Sequence, residues 1–337
     1  MGISRVDRFQ RKHPVLGFPL ATLYKFFDDQ GSLLAAMSTF YAFVAIFPLL
    51  LLASSIFGFV LQDRPDLQED ALNSALAQFP IIGDQLGRPE GLTGSVTAVV
   101  VGLLAATYGA LGLGQAIQNV MNTAWAVPRN SRPNPLLMRV KSLVILVVAG
   151  LSVLVISVFS ALGSSTEVFG PGINATIRWG IALVTVLLVT VVLTSLFRLA
   201  AARTHSWWSA VPGALVVALG WQGLQLVGAS YAQRVLTQTS TVNQTFGLVL
   251  GLIGLIFFAS IIGVYGVEVN VVLTRRLWPR ALLTPFTDAV DLTDADRRAY
   301  AMYAQSQRHK GFEQVTVTFE GRDGDTHEFE QLPRDGT

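Results

Sequence analysis

The chain has 337 residues, 51% of them hydrophobic and only 14% charged, with a net charge of +2 and no cysteine. So small a net charge gives no reason to expect a nucleic-acid partner. Without cysteine, a disulfide frame, a zinc–thiolate site and an iron–sulfur cluster are all excluded.

Six stretches, 30–62, 91–128, 142–166, 179–197, 206–233 and 235–267, contain no Asp, Glu, Lys or Arg. Each is long enough for the ~20-residue apolar helix that crosses a hydrocarbon core. The sequence therefore predicts an all-α, polytopic membrane bundle of six transmembrane helices, with an N-terminal interfacial helix and a small cytoplasmic C-terminal tail. The expected organisation is a cytoplasmic N-terminus over 1–31, a membrane domain over 32–278 and a tail over 279–337. Within the domain the spans fall at about 32–61, 93–125, 140–163, 175–199, 208–234 and 246–274.

Residues 1–30 are polar and basic, unlike a cleaved signal peptide, so the first span should be retained. Lys and Arg set the orientation. One side of the expected bundle holds Arg5, Arg8, Arg11, Lys12, Lys25, Arg129, Arg132, Arg139, Lys141, Arg198, Arg203, Arg275, Arg276 and Arg280. The other holds only Arg64, Arg88, Arg178 and Arg234. This bias places both termini in the cytoplasm, with the bacterial inner membrane as the expected location.

In chain order, Leu16, Leu20, Leu23, Tyr24 and Phe27 recur at helical spacing, with Lys25, Asp28 and Asp29 outside that stripe. This predicts an amphipathic helix ending at Gly31, either on the cytoplasmic leaflet or packed as a strut under the bundle. Span one exceeds the bilayer thickness, and Pro48 should kink it by leaving the carbonyl of Val44 without its usual donor. In the acidic loop 62–90, Leu67, Ala71, Ala75, Leu76 and Phe79 predict an amphipathic helix that stops before Pro80.

Span two carries Tyr108, Gln115, Gln118, Asn119 and Asn122, with Gly102, Gly109, Gly112 and Gly114 thinning its backbone. Span five repeats the theme with Trp221, Gln222, Gln225, Tyr231 and Gln233. Spans three and four are almost purely aliphatic and read as the lipid-facing wall. Span six opens with Gly247, Gly251 and Gly254, a spacing that lets helices approach closely. In the tail, Thr293 and Asp296 predict a capping box and a helix to about Arg308. Val315, Val317 and Phe319 alternate, Gly321–Asp325 turns, and Glu328–Glu330 could return as a second strand.

Glu268 is the one acid embedded in a span, and an intramembrane carboxylate points to function and needs a partner. Arg198 and Arg203 are the expected partners; the alternative is a glutamate that only orients span six. The amide arcs of spans two and five predict a hydrated groove, since buried amides must be hydrogen-bonded, or else simple interhelical packing. The histidines, His13, His205, His309 and His327, are scattered outside the spans, and no metalloprotease, phosphate-loop or serine-elbow motif is present. Asp288, Asp291, Asp294 and Asp296 read as a solvated linker and helix start. No catalytic activity and no cofactor is expected.

Three motifs resemble the YihY/BrkB family over about residues 15–280. They are Phe40-Tyr41 with Ala45-Ile-Phe47-Pro48-Leu49-Leu50, then Asn122-Thr-Ala-Trp125, then Gly266-Val-Glu268-Val-Asn270. Phe40 and Ala45 replace a tyrosine and a serine of that pattern, and Phe257 and Phe258 stand near a missing tryptophan. The resemblance implies six inner-membrane spans and a function variously described as serum resistance, ribonuclease activity or transport of lipids and other amphiphiles. Phosphodiester cleavage needs a positioned acid/base pair or metal, which this sequence does not arrange. The expected role is a flippase-like translocator of a lipid or other amphiphile. Its groove and gate would be formed by Tyr41, Pro48, Tyr108, Gln115, Gln118, Asn119, Asn122, Gln222, Gln225, Glu268 and Asn270. The alternative is a non-transporting scaffold for envelope assembly. Membrane lipids are the expected partners in either case.

Overall fold

Long apolar segments without charge fold as helices in a membrane because every backbone group is then satisfied within the segment. A computed structural model describes residues 2–60, 96–164, 175–202, 206–238, 241–284, 286–287, 290–320 and 326–329. Among them are nine α-helices: α1 Gly2–Lys12, α2 Pro14–Asp28, α3 Gly31–Val60, α4 Val96–Ala124, α5 Pro135–Ser164, α6 Ala175–Ala200, α7 Trp207–Gln238, α8 Thr241–Arg275 and α9 Asp294–Ser306. A hairpin follows, β1 Val317–Glu320 and β2 Thr326–Phe329. The helix expected in the loop 62–90 lies outside the described residues, as do the side chains of α3 from residue 47 onward, Pro48 included.

Among the described residues, four segments are long and apolar enough to cross a membrane: Pro135–Val153, Leu183–Ala200, Trp207–Val235 and Phe246–Arg275. Gly31–Ile46 is a shorter apolar stretch of the same kind. Helices α3 to α8 form a closed ring in which each packs on the next and α8 returns to α3, while α4 also touches α6 and α8. On α5 and α6 the large aliphatics Leu137, Val140, Val147, Leu151, Leu183, Leu187 and Val191 are exposed. That is the pattern of a wall facing lipid, as read from the sequence.

Two close approaches hold the ring. A Cβ on Gly112 would enter the Tyr41 ring of α3, and one on Gly213 of α7 would collide with the Gly266 carbonyl of α8. The converse holds at Gly266, where a Cβ would meet the Gly213 oxygen at 2.7 Å. Asn270, one turn further along α8, secures the same crossing. Its Oδ1 accepts from the Gly213 N–H (2.7 Å), and its Nδ2 donates to the Ala210 carbonyl (3.2 Å). These groups flank Pro212, where the helix lacks one of its own donors.

The amphipathic segment before the ring is helical, but it ends at Asp28 rather than running to Gly31. Gln30 takes the left-handed conformation (φ 55°) that closes α2. Gly31 already opens α3, and a Cβ there would strike the Phe26 ring. The tail carries the expected capping box: the Thr293 side chain accepts from the Asp296 N–H and the Asp296 side chain accepts from the Thr293 N–H. The hairpin pairs antiparallel, with Val317 opposite Phe329 and Glu320 opposite Thr326. It starts two residues after Val315, and its expected turn, 321–325, lies outside the described residues.

The α7–α8 crossing yields a direct test. Gly266→Ala should force the two helices apart and cost about 1–3 kcal/mol, as overpacking of a tight core does. Gly223→Ala on α7, where a Cβ meets nothing within 4 Å, should be neutral. Thermal unfolding in detergent distinguishes them, and equal melting temperatures for the two variants would refute the assignment.

Candidate functional site

The polar face of α2 is the buried one. Tyr24, Lys25 and Asp29 are buried together with Ala21 and Thr22, whereas Leu23 and Phe27, members of the expected apolar stripe, are exposed. Lys25 has no exposed surface, and its ammonium makes two hydrogen bonds and one longer ion pair. One hydrogen bond goes to Asp29, a turn further along, and one to the Ala124 carbonyl at the end of α4 (3.0 Å). The ion pair is with Glu268 of α8, whose Oε2 is 3.5 Å away. The Tyr303 ring of α9 lies 5.0 Å from the same nitrogen.

Glu268 is likewise fully buried, and neither of its oxygens meets a donor in good hydrogen-bonding geometry among the described residues. Among the described residues its ion-pair partner is Lys25, where Arg198 or Arg203 was expected. Arg198 stacks over Trp207 at 4.1 Å, and Arg203 lies outside the described residues. The physical reason is one of reach. Helix α2 lies against α8, and it delivers an ammonium where the end of α6 does not.

A second buried cation adjoins the first. Arg280, just beyond α8, pairs with Asp296 of α9 and with Asp28 of α2 (3.1 Å). Asp296 also accepts from the Ala281 N–H (2.9 Å), so the carboxylate that caps α9 is the one that anchors it. Tyr24 and Tyr303 complete the seam, with the Leu283 N–H donating to the Tyr24 hydroxyl at 2.9 Å and the Tyr303 hydroxyl 3.5 Å from Asp28. Two cations and four carboxylates thus share one buried region.

The electrostatics follow from that imbalance. Burial lowers the affinity of Lys25 for its proton, but Glu268 and Asp29 outweigh it and hold the ammonium above its ordinary value. Burial pushes Asp28 up, against the pull of Arg280. Tyr303 is pushed well up, first by burial and then by the surrounding carboxylates.

The expected amide residues do not converge on this site as a group. Gln118 is buried against α5, where it donates to the Met138 carbonyl and to Ser142 Oγ (both 2.9 Å). Asn270 clamps α7, as described above. Gln222 and Gln225 lie half-buried on α7, which does not pack beside α4. Tyr108, Gln115, Asn119 and Asn122 do share one narrow face of α4, at helical spacing. Exposure falls along this face, from 62% at Tyr108 through half-buried Gln115 and Asn119 to 2% at Asn122. Tyr41 of α3 flanks its open end, ring to ring with Tyr108 at 6.0 Å. Asn122, at its closed end, precedes by two residues Ala124, whose carbonyl accepts from Lys25. Trp125, at the α4 terminus, receives the Arg275 guanidinium 5.9 Å from its ring. Sequence reading missed Lys25, Asp29, Arg280 and Asp296 as site residues; the i, i+4 spacing of Lys25 and Asp29 was the one available signal.

With its apolar helices and closed ring, this chain is an integral, multi-pass helical membrane protein. The family described as Virulence factor BrkB matches residues 22–286, and the chain belongs to that family, in agreement with the resemblance carried by its three motifs. No curated protein and no solved structure matches it.

Charge balance predicts unequal effects at the ion cluster. Lys25→Met leaves two buried carboxylates without their cation and should cost about 3–5 kcal/mol. Glu268→Gln leaves a balanced Lys25–Asp29 pair and should cost far less, or nothing. Denaturant unfolding of the purified variants checks the order, which a larger loss in Glu268→Gln would reverse.

The pH dependence has a defined sign. Lys25 and Asp28 both bind their protons more tightly folded than unfolded, so each contributes stability at low pH that is lost as pH rises through its folded value. The Asp28 part fades above the ordinary 3.8 and the Lys25 part above the ordinary 10.5. Melting temperature followed from acid to alkaline pH should fall in both windows. Asp28→Asn should lessen the fall in the first window and leave the second.

Proposed function

We propose that this protein moves an amphiphile, a membrane lipid or a molecule of similar build, across the bacterial inner membrane, and that the Lys25–Asp29–Glu268 cluster is its cytoplasmic gate. In this reading α3 to α8 are six spans and both termini are cytoplasmic. The positive bias of the loops supports that orientation, as does the packing of both terminal segments at one end of the ring. The observation that carries the proposal is the fully buried Glu268 carboxylate, closed over by a lysine that comes from outside the ring. A carboxylate at such a depth is expensive to retain for packing alone.

The polar face of α4 supports the same reading. Its open end, at Tyr41 and Tyr108, would admit a headgroup, Gln115 and Asn119 would replace water along the way, and Asn122 would stand before the gate. Asn122 Oδ1 is buried with no hydrogen-bond partner among the described residues, leaving an acceptor free for a passing donor. Protonation of Glu268 would release its hold on Lys25 and let α2 part from α8. Catalysis is not proposed for Glu268, because a carboxylate enclosed by Lys25 and α8 is out of reach of a polymer such as RNA.

Reconstitution in liposomes with fluorescent lipids tests the proposal. The wild type should move lipid above the rate of empty vesicles, and Glu268→Gln should change that rate by roughly tenfold, the effect of ~1.4 kcal/mol at a barrier. Movement no faster than in empty vesicles would end the translocator reading. An unchanged Glu268→Gln rate would remove the gate alone.

A scaffold for envelope assembly is the second reading, favoured by the two-stranded hairpin and by Phe312, which is 89% exposed beside it. Deleting 311–337 removes the hairpin and spares Arg280 and Asp296. A translocator should keep its activity in that variant, while a scaffold should lose its bound partners.

A further inference from the structure

Helix α1 presents three sectors. Asp7, Gln10 and Arg11 turn toward the tail. There Gln10 donates to the Arg280 carbonyl (2.6 Å), Asp7 accepts from the Leu282 N–H (2.9 Å) and Arg11 donates to the Asp291 carbonyl (3.0 Å). Around the helix at 100° per residue, Arg8, Lys12 and Arg5 come next, all exposed, and then Phe9, His13 and Val6. Val6 is 57% and Phe9 54% exposed, and His13 packs on the Phe9 ring at 4.2 Å. A basic strip therefore borders an apolar strip on a helix already fixed in place.

Helix α2 continues the apolar strip. Val15, Pro19, Leu23 and Phe27 recur every fourth residue on the side away from Lys25, and all are exposed. Leu33 in the first turn of α3 is exposed too, so exposed apolar residues continue into the start of the ring. Large contiguous apolar surface of this kind is rare in water. The charge beside it is of one sign: Asp7 is the single acid between residues 2 and 27, and it is turned to the tail and paired with Arg11 at 2.7 Å.

We infer that α1 and the outer strip of α2 lie in the headgroup layer of an anionic phospholipid leaflet. Val6, Phe9, Leu23 and Phe27 enter the acyl boundary, and Arg5, Arg8 and Lys12 meet lipid phosphates. A helix with a basic face beside an apolar face binds in this way, and each surface-exposed cation adds to its attraction for anionic lipid. The tail contacts of Asp7, Gln10 and Arg11 orient α1 beforehand, which lowers the ordering cost of docking. The inference is independent of any translocation step.

The absence of cysteine permits a clean test. The full-length chain carrying Phe9→Cys, labelled with an environment-sensitive fluorophore, is placed in nanodiscs of phosphatidylglycerol or of phosphatidylcholine, and amide exchange over 2–13 is followed in parallel on the unlabelled chain. In the anionic discs the emission should shift to the blue and exchange should slow by roughly tenfold or more relative to the neutral discs. Both differences should vanish in Arg5→Gln/Arg8→Gln/Lys12→Gln and shrink with added salt. Equal protection in the two lipids, or a preference for phosphatidylglycerol that survives the triple substitution, would overturn the inference and leave α1 as a strut on the tail.

Discussion

Lys25 stands in a place where a lone ammonium would be intolerable, and the surrounding architecture follows from how its charge is met. Withdrawing ions from water carries a penalty of several kcal/mol each, offset only when geometry and hydrogen bonding are nearly complete. The chain meets this with groups from four elements: Asp29 beyond α2, a helix-terminal carbonyl of α4, Glu268 of α8 and the Tyr303 ring of α9. None of these could move far without exposing the deficit. The neighbouring Arg280 joins α2 to α9 in the same manner, so the terminal segments and the ring form one electrostatic unit.

The motif Gly266-Val-Glu268-Val-Asn270 gains a physical meaning from this arrangement. Positions four apart on a helix share a face, and the position between them points the other way. Gly266 and Asn270 accordingly meet α7, one by yielding space and the other by hydrogen bonding. Glu268, turned to the opposite side, meets α2. A single turn of α8 thus fastens two neighbours, and no residue of the three can stand in for another.

What could be read in the sequence divides along the same line. The apolar segments, the Thr293–Asp296 capping box and the alternation through Phe319 are local patterns, and the structure reproduces them. Lys25, Asp28 and Asp29 fall outside the apolar stripe of α2, where polar residues ordinarily face solvent, and nothing local reveals that this face is covered. The partner of Glu268 lay at the far end of the chain, beyond the reach of any spacing argument. For the amides, helical periodicity places Tyr108, Gln115, Asn119 and Asn122 on one face, and it sets Gln118 off to the side. Which neighbour each face meets depends on the order of helices around the ring, and periodicity carries no information about that order.

The ring closes between α3 and α8, its first and last members, and this bears on how the molecule comes into being. Chains emerge from the ribosome N-terminus first, so α2 is made long before Glu268 exists. Until the last long helix is inserted, Lys25 lacks its distant counter-ion, and until Arg280 follows, Asp28 lacks its own. In an interrupted chain Lys25 has only Asp29 to answer its charge, and the side of α2 that α8 would cover stays open. The cluster around Lys25 is in effect completed by the last helix of the ring and the segment that follows it.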